Sequence, residues 1–298
     1  MLRQLTGVTP DQFARLVIEL GPRWEAARTA RLTTERKAPR QRVLGAGRKP
    51  LAFSARLFAA LVQLRWNLPY RTTGALLGIS KDMVQRSEVE LLPLLAEYGI
   101  TAPDGTRIGD AETLTGVLAK LTDEHRAVLL DGSYVPTNRP GGGWEAQKSE
   151  YSTHRHRHCR TFQAISTDAG ELLWVGAVEP GSTHDLTAIA GAETEVVIPL
   201  RTSKIPLIAD KGYIGIKARL KLDADVFTPR RRKKDDTRGE AVRNAEKEFN
   251  TAIARRRVRV EHAFSDMKEF KTLHRSRRHS DHLGLTIRAI AALVTMPA

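Results

Sequence analysis

One cysteine, Cys159, stands in 298 residues. A single thiol excludes an internal disulfide and points to a reducing, cytoplasmic setting. Long apolar runs are missing too. No window approaches the ~18 uninterrupted apolar residues of a transmembrane helix, so no membrane partner is expected. The N-terminus M-L-R-Q-L-T-G-V-T-P-D-Q lacks an extended apolar core before a cleavage site, and no signal peptide is expected. Acidic residues are short: 34 Asp and Glu face 48 Lys and Arg, a formal charge of +14. Such an excess attracts polyanions, and nucleic acid is the leading partner because each neutralised phosphate releases counterions.

What is present divides the chain into four parts. Residues 1–34 carry Phe13, Leu16, Val17 and Leu20 at helical spacing, with a start at Pro10-Asp11 and a stop at Gly21-Pro22. Residues 35–50, basic and rich in Gly and Pro, read as a linker or a phosphate-tracking arm. Residues 51–108 form an all-helical unit. Within it R-T-T-G-A-L-L-G-I-S-K-D-M-V-Q-R gives a short helix, a turn at Gly78, and a second helix opened by Ser80. Met83, Val84 and Val89 are expected to pack inward, while Lys81, Asp82, Gln85 and Arg86 face out. That is a helix-turn-helix layout, whose second helix would enter the major groove with Lys81, Gln85 and Arg86 against DNA. A plain helical bundle has the same pattern.

Beyond residue 109 short strands and turns take over. The run V-L-L-D-G-S-Y at 128–134 drives a strand over 127–131 into Asp131, and I-P-L-I-A-D-K-G-Y at 205–213 does the same into Asp210. A hairpin turned by T-D-A-G at 167–170 lies between them. A long helical pattern follows over 239–270. Two strand tips carrying carboxylates suit Mg²⁺, which prefers oxygen ligands and takes one or two protein carboxylates per ion. Two such ions ~4 Å apart stabilise the attacking and leaving oxygens in phosphoryl transfer. A third ligand would come from the long helix, where R-x-x-x-E-x-x-x-x-x-x-K sets Arg257, Glu261 and Lys268 near one face. A solvated face of helical ion pairs gives the same spacing.

L-L-D-G-S-Y, P-G-S-T-H-D, I-A-D-K-G-Y and R-x-x-x-E-x-x-x-x-x-x-K, in that order, resemble the DDE transposases of bacterial insertion sequences, in the Harbinger-related branch. The resemblance implies a ribonuclease H-like, mixed-sheet catalytic domain over 109–298 after the helix-turn-helix domain, an α+β and α/β combination. It implies Asp131, Asp210 and Glu261 as catalytic ligands of two Mg²⁺, with Mn²⁺ as substitute. Arg257 and Lys268 would hold DNA phosphates. The implied activity is binding of terminal inverted repeats in double-stranded DNA, cleavage of the 3′ strand, and transfer of the 3′-hydroxyl to target DNA by a homo-oligomer beside the nucleoid. Ala254 stands where related signatures often carry tyrosine, which removes one DNA-positioning contact.

Other features leave alternatives open. In P-G-S-T-H-D, His184 and Asp185 would support the ligands from behind, or Ser182, Thr183 or Asp185 would cap the next helix. H-R-H-R-H-C at 154–159 would place three histidines on one strand face. No second ligand pair accompanies them at zinc spacing, and a basic edge facing DNA is the expected role. Trp144 would stack on an unpaired base or pack in its loop. Gly132 and Gly212 are expected to allow close approach at the strand tips. The rival functions are a metal-dependent nuclease that does not rejoin, and a non-catalytic DNA-binding regulator derived from a transposase.

Overall fold

A computed structural model describes residues 1–34, 51–231, 239–276 and 280–297. The linker at 35–50 lies outside the described residues, as does part of each basic run at 228–234 and 271–278. The chain opens with α1 (Leu2–Thr6) and α2 (Pro10–Thr34), then α3 (Phe53–Trp66), α4 (Tyr70–Leu77) and α5 (Lys81–Ala96). A small hairpin of β1 (Ile100–Thr101) and β2 (Arg107–Ile108) precedes α6 (Ala111–Asp123). The second half carries β3 (Val128–Pro136), α7 (Gly143–Glu150), β4 (Tyr151–Ser152), β5 (Arg157–Thr167), β6 (Leu172–Val175) and β7 (Glu179–Pro180). It continues through α8 (Asp185–Gly191), α9 (Ile198–Ser203), β8 (Leu207–Ala209), α10 (Ile216–Leu220), β9 (Val226–Phe227), α11 (Glu240–Lys268) and α12 (Ser280–Val294).

The helical pair forms as its sequence directs. Gly78 takes φ +66° to end α4, and the Ser80 hydroxyl accepts from Met83 N to open α5. A methyl group on Gly74 would stand 2.6 Å from the Ile79 carbonyl, so the turn folds tightly only over glycine. Lys81, Asp82, Gln85 and Arg86 are exposed and Val84 is buried. Val89 departs from expectation at 47% exposure; Ser87 and Glu88 take the inward positions. The stop at Gly21-Pro22 is overridden, since α2 runs through Pro22 to Thr34. Trp24 explains the continuation. It is buried against Phe53, ring centroids 5.6 Å apart, and donates to Glu90 at 3.0 Å. Tertiary packing there outweighs the proline penalty.

The main sheet has the order β4-β5-β3-β8-β9, with β6 and β7 also paired to β5. β3 and β5 are antiparallel, and β5 and β6 likewise; β8 and β9 run parallel to β3 on its other side. This is the ribonuclease H-like mixed sheet. Alternation sends Leu129 and Ile208 into one core with the N-terminal helices, α11 and α12. Val128, Leu130, Leu207 and Ala209 enter a second core under α6, α8, α9 and α10. The first core joins both halves of the chain: Leu57, Leu91, Leu129, Phe264 and Ile290 share it. Gln12 Nε2 also donates 2.8 Å to the Met296 carbonyl.

β3 does not stop at Asp131. It continues to Pro136, because β5 offers a partner at every step from Val128↔Thr167 to Pro136↔Cys159. Nor do His154, His156 and His158 share a strand face. His154 and His156 sit in the turn between β4 and β5, His156 at φ +51°, and only His158 is on β5.

Candidate active site

Parallel pairing sets Leu129 beside Ile208 and Leu130 beside Ala209. The next residues along, Asp131 and Asp210, therefore stand next to each other where β8 ends. Asp131 has the parity of Leu129 and looks toward the layer that holds α11. Arg257 of α11 meets it there, donating to Asp131 Oδ2 at 2.7 Å and lying 3.9 Å from Asp210 Oδ2. One guanidinium thus lies against both carboxylates, while its Nε is buried with no hydrogen-bond partner. Asp210 also accepts from Gly212 N at 2.6 Å, and Asp131 from Gly132 N at 2.8 Å.

The glycines make room for carboxylates. A methyl group on Gly212 would sit 2.5 Å from Asp185 Oδ2 and 2.9 Å from Asp210 Oδ1. One on Gly132 would sit 3.4 Å from Asp185 Oδ1 and 3.6 Å from the Tyr213 hydroxyl. Asp185 is thus drawn against the strand tips from the start of α8. It does not cap that helix: His184 Nδ1 does, accepting from Leu186 N at 3.2 Å. Gln163 of β5 fixes the Asp185 backbone, donating to its carbonyl at 2.7 Å.

The electrostatics follow. Burial pushes the Asp131 carboxyl up, against the opposing pull of Arg257. Burial also raises Asp185, and the charges of Asp210 and Asp131 add to it. Tyr213, fully buried, is pushed well above the ordinary phenol range by burial, with the three carboxylates adding. Lys268 moves the other way. Burial lowers it, and the charge of Arg155 adds to that effect. Lys268 and Arg155 both lie over the Tyr134 ring, 5.7 and 4.0 Å from its centre.

A cleft of about 1150 Å³ opens over this centre. Asp131, Asp185 and Asp210 lie at its acidic end; Arg139, Lys148 and Arg155 line it elsewhere. Trp144 stands on its wall at 71% exposure. Glu261 is exposed on α11, one turn beyond Arg257, and makes no ion pair with a described residue. Its charge acts on Lys268, as that of Asp131 does. Ala254 is exposed as well. The sequence reading passed over Tyr134, Arg155, Gln163 and Tyr213. Tyr134 and Tyr213 each close a quoted motif, L-L-D-G-S-Y and I-A-D-K-G-Y, and Arg155 lies in H-R-H-R-H-C; Gln163 carries no sequence signal.

The oxygen-rich donor set suits a hard divalent ion, and a cation already belongs there in the form of Arg257. Among the described residues no three His, Cys, Asp or Glu side chains are close enough to hold an ion as they stand. An ion held by these carboxylates would require them to close and the guanidinium to yield.

The strand order and directions define a ribonuclease H-like sheet with two aspartates side by side where β8 ends. The family described as DDE superfamily endonuclease matches residues 130–295, more than half of the chain, and the protein belongs to that family. It is 27% identical over 291 residues to a protein assigned as the transposase of insertion sequence element IS112 of Streptomyces albus G, covering 97% of this chain and 91% of that one. A protein so assigned for IS702 of Microchaete diplosiphon is 26% identical over 178 residues, 59% of each chain. Among solved structures, the Mos1 transposase paired-end complex with left transposon end shares 12% identity over 82% of this chain and 86% of that chain. Its TM-score is 0.23, too loose a superposition to carry residues across. Among the described residues no helix is long and apolar enough to cross a membrane.

Proposed function

We propose that the protein is a DNA transposase that binds the ends of its element, cuts the 3′ strand and joins the freed 3′-hydroxyl to target DNA. The observation that carries this reading is the pair Asp131 and Asp210, set side by side by parallel strands and held by one guanidinium. Two Mg²⁺, or Mn²⁺ in their place, would be held by Asp131, Asp210 and Glu261. When bound, they would supply charge neutralisation at the attacking and leaving oxygens. Support for Glu261 is its place on α11 one turn after Arg257, with Lys268 two turns further on.

The chain's own residues do the positioning. Arg257 holds the two carboxylates and gives up its place as the ions enter. Lys268 and Arg155, beside Tyr134, offer cations to the scissile strand. Lys81, Gln85 and Arg86, exposed on α5 after a tight turn, are the proposed contacts to double-stranded DNA. A dimer or larger assembly on paired ends is part of the proposal.

The test is incubation of wild type and Asp210→Ala with a labelled duplex carrying the element's own ends, a target plasmid, and Mg²⁺ or Mn²⁺. Transposition gives metal-dependent 3′ nicks and joined products, both absent from the variant. Nicks without joining would indicate a nuclease. Binding with neither product under any metal would indicate a regulator.

A further inference from the structure

We propose that Asp185 is a direct ligand of a divalent ion that it holds together with Asp131 and Asp210, with the Tyr213 hydroxyl donating a hydrogen bond into that same centre. The inference rests on the metal-dependent reading above and deepens it. None of the expectations for Asp185 as a helix cap survives the geometry, because the His184 ring does that work. The Asp185 carboxylate takes no hydrogen bond from a described residue, yet it lies against both β3 and the end of β8. Its two oxygens stand 3.4 Å from the methyl position of Gly132 and 2.5 Å from that of Gly212. Asp210 Oδ1 stands 2.9 Å from the same Gly212 position. Two glycines, one within β3 and one just past the end of β8, thus accommodate one acidic side chain.

Tyr213 is the independent observation. Its side chain is fully buried, and although the Gln163 amide acts on its hydroxyl oxygen, the hydroxyl proton meets no acceptor among the described residues. A buried hydroxyl proton without an acceptor is costly unless a ligand completes it. That hydroxyl is directed at the Gly132 position where Asp185 Oδ1 also arrives. An ion between Asp131, Asp185 and Asp210, or a water on that ion, supplies the acceptor that the protein alone lacks. It also neutralises three carboxylates that otherwise have one guanidinium between two of them. Two ions with one or two carboxylates each can use four. Asp185 therefore adds to the set of Asp131, Asp210 and Glu261 without displacing any of them.

Terbium luminescence decides the matter, because Tb³⁺ prefers the same oxygen ligands and its lifetime in H₂O and D₂O counts the waters on the ion. The full-length protein without DNA is titrated with Tb³⁺, with Mg²⁺ as competitor, alongside Asp185→Asn, Asp131→Asn and Tyr213→Phe. Thermal melts of each verify that the fold is kept. The expected result for Asp185→Asn is at least about a tenfold weaker Tb³⁺ affinity and about one additional water on the ion. Tyr213→Phe should weaken binding while leaving the water count unchanged, as a hydrogen-bond donor outside the coordination sphere would. An Asp185→Asn protein with the wild-type affinity and water count, while Asp131→Asn loses both, overturns the role of Asp185 and leaves the metal site standing. Wild-type binding that Asp131→Asn does not alter overturns the metal site and this inference together. Where Asp185→Asn lowers the melting temperature, Asp185→Glu supplies the second variant: recovery of the water count restores the assignment, and its failure to recover overturns it.

Discussion

Gly132 and Gly212 occupy the positions on which the candidate site is most sensitive. At Gly212 a methyl group would press on Asp185 and Asp210 at 2.5 and 2.9 Å, well inside contact distance. At Gly132 the nearest atoms are 3.4 Å away. Gly212→Ala is therefore expected to lose about a hundredfold in metal-dependent nicking, the scale of a 1 Å misplacement at a reacting centre. Gly132→Ala should lose far less, and nicking rates of the two purified variants check the order. These roles were half visible in the sequence. The L-L-D-G and A-D-K-G motifs pointed to close approach at the tips, but not to Asp185 as the group approaching. That partner comes from α8, and only the fold brings it there. Tyr134 and Arg155 lay in two motifs, L-L-D-G-S-Y and H-R-H-R-H-C, but their contact was not legible for the same reason, since only the fold brings the two motifs together.

Among the elements, α2, α3 and α5 are tied by a cluster that decides how the N-terminal half behaves in acid. Glu90 receives Arg31 at 2.8 Å, Arg56 at 3.0 Å and Trp24 at 3.0 Å. Burial pushes the Glu90 carboxyl up, but the hydrogen bonds from Arg31 and Trp24 and the charge of Arg56 outweigh it, leaving it below its ordinary value of 4.5. A carboxyl depressed on folding adds stability that is fully present above the unfolded value and lost as pH falls through the folded one. Glu90→Gln should thus cost about 3 kcal/mol at pH 7, since it leaves Arg56 buried without its charge partner. The gap to wild type should hold above about pH 5 and narrow below 4.5, as read from denaturant melts followed by Trp fluorescence. Helix assignment from periodicity succeeded for α5 and α11, whose apolar stripes are long. It failed at Gly21-Pro22, where Trp24 and Glu90 continue α2 through contacts far apart in sequence. β3 was cut short at Asp131 because a carboxylate reads as an end; the length of β5 keeps the strand going.

At the scale of the whole molecule, charge and core act together. The +14 charge predicts a steep fall of DNA affinity with salt. Lys81→Ala should weaken binding and reduce the slope of log K against log salt by about one phosphate's share, while Gln85→Ala should weaken binding to element ends with the slope unchanged. Fluorescence anisotropy at several salt concentrations separates the two. Equal slopes for both variants would remove α5 from the DNA interface. The shared core also links the halves. Leu57 and Leu91 pack with Leu129 and Phe264, so α3 and α5 share one core with the sheet that holds Asp131. The ribonuclease H-like order was legible because four short motifs fall in sequence along it. The common core was not, because no local pattern tells which helix a leucine will meet.

The most direct measurement is affinity cleavage by Fe²⁺ placed where Mg²⁺ would bind. The protein is loaded with Fe²⁺, treated with ascorbate and peroxide, and its backbone breaks are mapped by mass spectrometry. The account predicts breaks beside residues 131, 185 and 210, suppressed by excess Mg²⁺ and by Asp210→Ala. Breaks elsewhere in the chain, with these three segments intact, would contradict it.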